Sequence, residues 1–423
     1  MGGAVLVAGL MVAGAGVAAA DSADPGYTVI ASGLNNPRHL SFGSDGALYV
    51  AESGVGGDGP CITSSDGSFV CYGPTGSIGK VTHGRHGWTE REVVTGLPSL
   101  APPADIPPAN PGDSPVVKGG SATGPSDVIA TRGRYVASIG LGAPPTDRGR
   151  GQATDQTQSE SRTLPRGFGD LITGSTRPNL FCRFFPHARP CATTSWRTVA
   201  DIAAYEQRNN PVDTPDSNPA SVQRDGSKLL VADAGGNTVL SVNRGGHVSL
   251  IAAFSDEPVV NPPAFCKLAG CPPVMQAVPT SVVRGPGGSY YVSQLTGFPF
   301  PQGGSSIWKV TPAHGHHAAV VTKYATGLTN VTDLAFARDG SLYAVEISST
   351  GLASSQGPAS GALVRIPRGG GSATTVAGPL FAPYGVALSG RYAYVTTGSV
   401  LPGTAPSPLG GTGGQVIQIP LDH

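Results

Sequence analysis

The chain has 423 residues, of which 62 are Gly and 39 are Pro, so nearly a quarter of its positions disfavour a helix interior and long helical architectures are excluded. Lys plus Arg and Asp plus Glu are balanced at 27 each, and only 13% of residues are charged, which leaves no electrostatic footprint for nucleic acid. Hydrophobic residues make up 39%, enough at this length for a large buried core.

Residues 1–20, from Met1 to Ala20, are nearly all Ala, Val, Gly, Leu and Met, and they close on Ala18-Ala19-Ala20 before Asp21. An apolar stretch ending in small residues reads as a signal peptide, although no Lys or Arg precedes Asp21. Retained, it would be an N-terminal anchor, and only then is a membrane expected. The six Cys fall as close pairs, Cys61 with Cys71, Cys182 with Cys191, and Cys266 with Cys271, each in a Gly/Pro-rich stretch. In an exported chain such pairs read as loop-stapling disulfides; a metal site is the weaker alternative, because no CxxC occurs.

From there one phrase recurs six times. Its first predicted strand opens on Pro or Val-Thr: Pro37–Phe42, Pro125–Ile129, Pro219–Val222, Pro279–Val283, Val331–Phe336 and Pro383–Leu388. Tight turns such as Asp45-Gly46, Asp225-Gly226 and Asp339-Gly340 lead into the second strand, at Leu48–Ala51, Tyr135–Ala137, Leu229–Ala232, Tyr290–Ser293, Leu342–Val345 and Tyr392–Thr396. The third follows at Ile78–Val81, Gly169–Ile172, Val239–Val242, Ile307–Val310, Leu363–Ile366 and Val416–Ile419. A fourth is present in five copies, at Arg91–Val94, Thr198–Ile202, Val248–Ile251, Val320–Tyr324 and Thr374–Ala377. The missing copy lies at the other end of the chain, where Tyr27–Ala31 precedes Ser32-Gly33-Leu34 much as Val93-Val94-Thr95 precedes Gly96-Leu97. The expectation is an all-β, six-bladed β-propeller over residues 21–423, a single domain whose N-terminal strand completes the last blade.

In such a ring the loops leaving the second and fourth strands emerge on one face. Here they are long and Gly/Pro-rich, at residues 54–76, 98–124, 141–167, 205–218, 255–278, 347–361 and 398–414. The opposite loops are mostly short, except residues 173–195. Elaboration of one face on a rigid scaffold is how binding sites are built, with neutral drift as the alternative. The residue closing each second strand is polar in every blade: Glu52, Ser138, Asp233, Gln294, Glu346 and Thr397. A second ring, from the first strands that line the channel, holds His39, Asp127, Ser221, Ser281, Asp333 and Gly385.

Convergent oxygens suit Ca²⁺ or another divalent cation, with Glu52, Asp233 and Glu346 as candidate ligands, or a hydroxyl-rich ligand also touching Asp127 and Gln294. His39 and Asp333 are the candidate bases if the site is catalytic. Equally, these groups could plug a channel by bonding to backbone. Phe298 and Phe300, in Gly297–Pro301, are candidate contacts for a ligand or partner on the same face. His314, His316 and His317 read as an adventitious metal tract on the opposite face. No GxSxG, HExxH, P-loop or dinucleotide fingerprint occurs in a suitable context.

Several phrases resemble the ScyD/ScyE family of exported bacterial proteins. They are Gly33–Arg38 with Asp45–Glu52, Gly56–Cys61, Tyr72–Gly76, Val231–Asn237, Leu295–Pro301 and Thr326–Phe336, covering most of the chain beyond residue 20. The resemblance implies a secreted propeller; the Cys182–Cys191 segment and the 141–167 loop depart from it. The first-blade phrase is more distantly similar to NHL-repeat proteins, sugar lactonases and quinoprotein sugar dehydrogenases. The leading expectation is a monomeric binding protein that takes a small molecule, glycan or protein on its elaborated face. A metal-dependent hydrolase of sugar-lactonase type is the alternative, and a quinoprotein dehydrogenase, lacking an evident Arg/Lys cluster, ranks third.

Overall fold

A computed structural model describes residues 26–107, 116–149, 164–177, 192–211, 214–313 and 319–421. The segment 1–20, Cys182 and Cys191, most of the 141–167 loop, and His314, His316 and His317 lie outside them.

Each recurrence of the sequence phrase folds as one antiparallel sheet, and six such sheets form the blades of a β-propeller. Blade 3 is the simplest: Pro219–Asp225, Lys228–Asp233, Thr238–Val242 and Val248–Ala253 lie in chain order from the axis outward. Blade 1 starts with Pro37–Phe42 and Leu48–Glu52, blade 2 with Pro125–Thr131 and Arg134–Ile139, blade 4 with Pro279–Arg284 and Tyr290–Gln294, and blade 5 with Val331–Phe336 and Leu342–Glu346. In blade 6, Val386–Ser389, Tyr392–Thr397 and Gly414–Pro420 are completed by Thr28–Leu34, paired antiparallel with Thr28 opposite Gln418 and Leu34 opposite Gly414. The ring is thus closed by the two ends of the chain within one sheet. Successive first strands pack on one another around the axis, with that of blade 6 against that of blade 1.

Local sequence explains the plan. The turns between first and second strands need a left-handed residue, supplied by Gly46 (φ 76°) and Gly340 (φ 84°). Second strands such as Leu48–Glu52 and Leu342–Glu346 are buried at every position, because neighbouring blades cover both faces. Fourth strands such as Thr374–Leu380 are mostly open to solvent, because they stand at the outer edge of the blade. The core is a set of layers between blades; Leu230, Ala232 and Val239 of blade 3, for example, pack with Val282, Val292 and Val310 of blade 4. Each Val or Leu side chain among them contributes of order 2 kcal/mol by leaving water.

Three features differ from the sequence reading. After the strand Trp196–Asp201, residues 202–209 form a helix, Ile202–Asn209, whose N-terminus is capped by Asp201 accepting from the Ala204 amide at 2.8 Å. The third and fourth strands of blade 1 run much further than expected, as Phe69–Gly84 and Gly87–Ala101, so much of the expected loops at 54–76 and 98–124 is a long hairpin. Its far end pairs with Cys61–Thr63, where the Cys61–Cys71 disulfide joins directly opposed residues. Blade 6 begins later, at Val386, since the Tyr384 amide bonds to Thr396 O outside the regular ladder. The second disulfide, Cys266–Cys271, closes a short turn in the 255–278 loop. Disulfides fit an oxidising compartment, and no described helix is long and apolar enough to cross a membrane.

Candidate functional site

The residues that end the second strands do not meet. Each acidic member turns back to hold the segment that enters its own blade. Glu52 Oε2 accepts the Asn35 amide at 2.8 Å, Asp233 Oδ1 accepts the Asn218 amide at 2.6 Å, and Glu346 Oε1 accepts the Thr329 amide at 2.7 Å. Asp233 also takes the Ser217 hydroxyl at 2.9 Å. Gln294 accepts the Ser306 amide and donates to Glu257 Oε2 at 3.0 Å. Among the described residues no three His, Cys, Asp or Glu side chains are grouped to hold a metal ion. Burial pushes Glu52 up to about 8, helped by the Glu90 and Glu92 carboxylates and opposed by the Asn35 amide. Burial likewise raises Asp233 to about 6 and Glu346 to about 7.

The inner ring does converge, and each of its members with a side chain clasps a neighbouring blade, Gly385 being the exception. Asp127 Oδ2 accepts the Val222 amide of blade 3 at 2.8 Å, and Ser221 Oγ accepts the Val282 amide of blade 4 at 3.2 Å. Ser281 donates to Asp333 Oδ1 of blade 5 at 2.7 Å, and Asp333 Oδ2 accepts the Val386 amide of blade 6 at 2.8 Å. His39 Nδ1 lies 3.0 Å from Ser126 O of blade 2, while Nε2 lies 3.3 Å from Thr332 O and 3.6 Å from Asp333 Oδ1. Both ring nitrogens therefore face acceptors, and the imidazolium is the form that satisfies both. Burial works against that charge, but the Asp333 and Asp127 carboxylates outweigh it and raise the His39 pKa. Burial raises Asp127 to about 6 and also raises Asp333, with His39 opposing in each case. Arg38 joins this group, its guanidinium 4.8 Å from the Tyr384 ring centre and bonded to Ala122 O at 2.7 Å.

Off the axis, the loop-rich face holds a cavity of about 810 Å³. Three loops build it: residues 261–265, residues 302–303 after the second strand of blade 4, and residues 349–355 after that of blade 5. Glu346 and Thr329 line it where the blades begin. One Glu346 oxygen is committed to the Thr329 amide, and among the described residues no group bonds to the other. Phe298 stands behind the cavity, its ring 5.8 Å from that of the lining Phe265, and Phe300 packs towards the buried cluster of Ile347, Leu352 and Phe381.

The walls are tied together by a residue the sequence reading passed over. Asn330, fully buried with φ 45°, donates to Leu295 O at 2.7 Å and accepts the Leu352 amide at 2.9 Å, joining the loops of blades 4 and 5. Asn36 does the same in blade 1, with φ 51°, donating to Gly54 O and Gly119 O at 2.8 Å each. The available signal was the recurring Gly-Leu-x-Asn of Gly33–Asn36 and Gly327–Asn330. Phe265, Gln302 and the hydroxyl residues at 349–355 had no such signal.

The sequence matches no protein-family profile and no curated protein. Among solved structures, the chain is similar to a provisionally assigned oxidoreductase (glucose dehydrogenase) from Thermus thermophilus, at 14% identity and TM-score 0.48 over 93% of this chain and 98% of that one. It is also similar to the PQQ-bound aldose sugar dehydrogenase of Streptomyces coelicolor, at 12% and 0.45 over 92% of this chain and 96% of that one. A luciferin-regenerating enzyme matches at 10% and 0.45 over 93% and 95%. Likeness at this level does not reach chemistry, and the six-bladed architecture rests on the strand pairing of the chain itself.

Proposed function

We propose that this chain is an exported propeller of the ScyD/ScyE type that binds a ligand through its loop-rich face. The observation that carries the reading is the convergence of three separate loops and Glu346 on one cavity. Long loops that merely drifted would have no reason to be cross-tied by a buried Asn330. The apolar segment before Asp21 and the two described disulfides support export, with residues 1–20 acting as the signal.

The sugar-lactonase alternative asks Glu52, Asp233 and Glu346 to share a cation, whereas each holds the entry turn of its own blade. The inner-ring alternative asks His39 and Asp333 to act on a substrate, whereas their polar atoms are engaged by neighbouring blades. The geometry therefore favours binding over turnover.

The test is a thermal-shift screen of small molecules, glycans and peptides on residues 21–423, run beside Ser355→Trp, which places an indole at the exposed rim of the cavity. The expected result is a ligand-dependent rise in Tm that Ser355→Trp abolishes. Calcium-dependent lactone or ester hydrolysis, lost in Glu52→Gln and Asp233→Asn, would replace this reading with the enzymatic one.

A further inference from the structure

The lining of the loop-face cavity restricts what it can hold. Among the described residues no Lys, Arg or His lines it, and Glu346 is the one ionisable side chain that does. A phosphorylated or carboxylated ligand would meet no counter-charge there and would face a carboxyl group. The remaining polar groups are the amides of Asn261 and Gln302 and hydroxyls such as those of Thr350 and Ser354. Such groups both donate and accept, which matches a ligand whose own groups do the same. Gln302 also donates to Ser349 O at 3.1 Å, so the two polar walls are held at a fixed spacing.

One wall is apolar. Pro262, Pro263 and Phe265 form it, and the Phe298 ring stands 5.8 Å behind Phe265 at an angle of 38°. An aromatic ring held from behind is a platform for a flat face of C–H groups. A volume of about 810 Å³ exceeds what a single sugar ring fills and lies within the range of sites that enclose drug-sized ligands.

We infer that this cavity binds a short neutral oligosaccharide, with a sugar face stacked on Phe265 and a hydroxyl donating to Glu346 Oε2. The inference rests on the binding reading above and names the ligand class for the same site. Burial raises Glu346 to about 7, against the Thr329 amide, and a carboxyl group of this kind can hydrogen-bond a sugar hydroxyl in either protonation state. The site is off the propeller axis, formed between blades 4 and 5 and independent of the His39 cluster.

The experiment is titration calorimetry on residues 21–423 with three probe sets of similar length: neutral tetrasaccharides (cellotetraose, maltotetraose, xylotetraose), a glucosamine tetramer and a galacturonate tetramer. The expected result is binding of at least one neutral probe, weakened about tenfold by Phe265→Ala and by the exposed-rim change Ser355→Trp, with the galacturonate probe bound more weakly than the neutral one. Unchanged melting of Ser355→Trp without ligand would show that it folds. Neutral binding insensitive to both variants would overturn the site. Binding of the charged probes alone, blocked by Ser355→Trp, would overturn the ligand class and leave the binding reading intact. If no tetrasaccharide binds, the oligosaccharide inference falls, while the thermal-shift screen decides separately whether the cavity binds anything.

Discussion

His39 of blade 1 and Asp333 of blade 5 lie 3.6 Å apart, although blade 6 stands between their blades. Blade 6 contributes Gly385 at the equivalent ring position, so no side chain from that ring position stands between them. With Asp127 also drawn in electrostatically, one buried cation serves two buried carboxylates. Removing it leaves the two acids facing each other. His39→Ala is therefore expected to cost about 3 kcal/mol or more of unfolding free energy, measured by urea denaturation. A change within experimental error would mean that the cluster is a passive plug.

Gly385 sets the second expectation. A Cβ built there would lie 2.7 Å from His39 Cα and 2.8 Å from Arg38 O, backbone that cannot move aside without shifting blade 1. Gly385→Ala should destabilise by roughly 1–3 kcal/mol through overpacking, read as a lower urea midpoint. The same change at Gly226, whose Cβ would meet nothing within 4 Å, is the control for general glycine effects, with the strain of its φ of 58° included.

The pH dependence has a definite sign. Glu52 is raised from 4.5 to about 8, mainly by burial, so the folded chain keeps a proton that the unfolded chain releases. Stability from this group is greatest in acid and falls as pH rises between about 4.5 and 8. His39 adds to the same trend, because its raised pKa contributes stability that is lost as pH passes the folded value. Glu52→Gln should flatten the decline and raise the Tm at pH above the Glu52 value. The change would also remove the repulsion between Glu52 and the neighbouring Glu90 and Glu92 carboxylates. Differential scanning fluorimetry from acid to alkaline pH checks this; parallel curves for the two proteins would refute it.

Asn330→Ala breaks both loop ties at the cavity and strands Leu295 O and the Leu352 amide. A loss of about 2 kcal/mol is expected from the unmet groups. Faster amide exchange should be confined to residues around 295–303 and 349–355, while blades 1–3 keep their protection. Exchange spread evenly round the ring would argue that Asn330 supports the whole fold instead.

The propeller was legible in the sequence because its signal is local and repeated: an opening Pro or Val-Thr, a turn with Gly, and a buried second strand occur once per blade. The Ile202–Asn209 helix was not, since it occupies a single inter-blade loop and belongs to no repeated phrase; the one other described α-helix, Cys266–Ala269, is four residues in a different loop. Nor were the long strands of blade 1, whose Gly-Pro-Thr-Gly segment at residues 73–76 looks like loop chemistry and is indeed irregular, the register shifting between Gly73 and Gly76, while pairing with Leu97–Ala101 resumes on either side. For the site, sequence named Glu346 and the inner ring but expected both polar rings to converge near the channel, with Glu52, Asp233 and Glu346 as cation ligands and His39 and Asp333 as candidate bases. Strand direction places a side chain near an end of the blade; it does not say whether that side chain turns to the axis or back onto its own entry turn. Phe265 and Gln302 meet Glu346 only because loops distant in sequence fold towards one another, information that no window of residues contains.

The strand Thr28–Leu34 is synthesised first in the ring yet bonds to Gly414–Pro420, synthesised last. No complete blade 6 can exist until the chain has been made as far as Pro420. Until then the leading strand is an open β-edge awaiting a distant partner, exposed to mispairing with other chains. The arrangement acts as a completeness check, since a product shortened by even its final strand would lack the seam and should be left to proteases and chaperones.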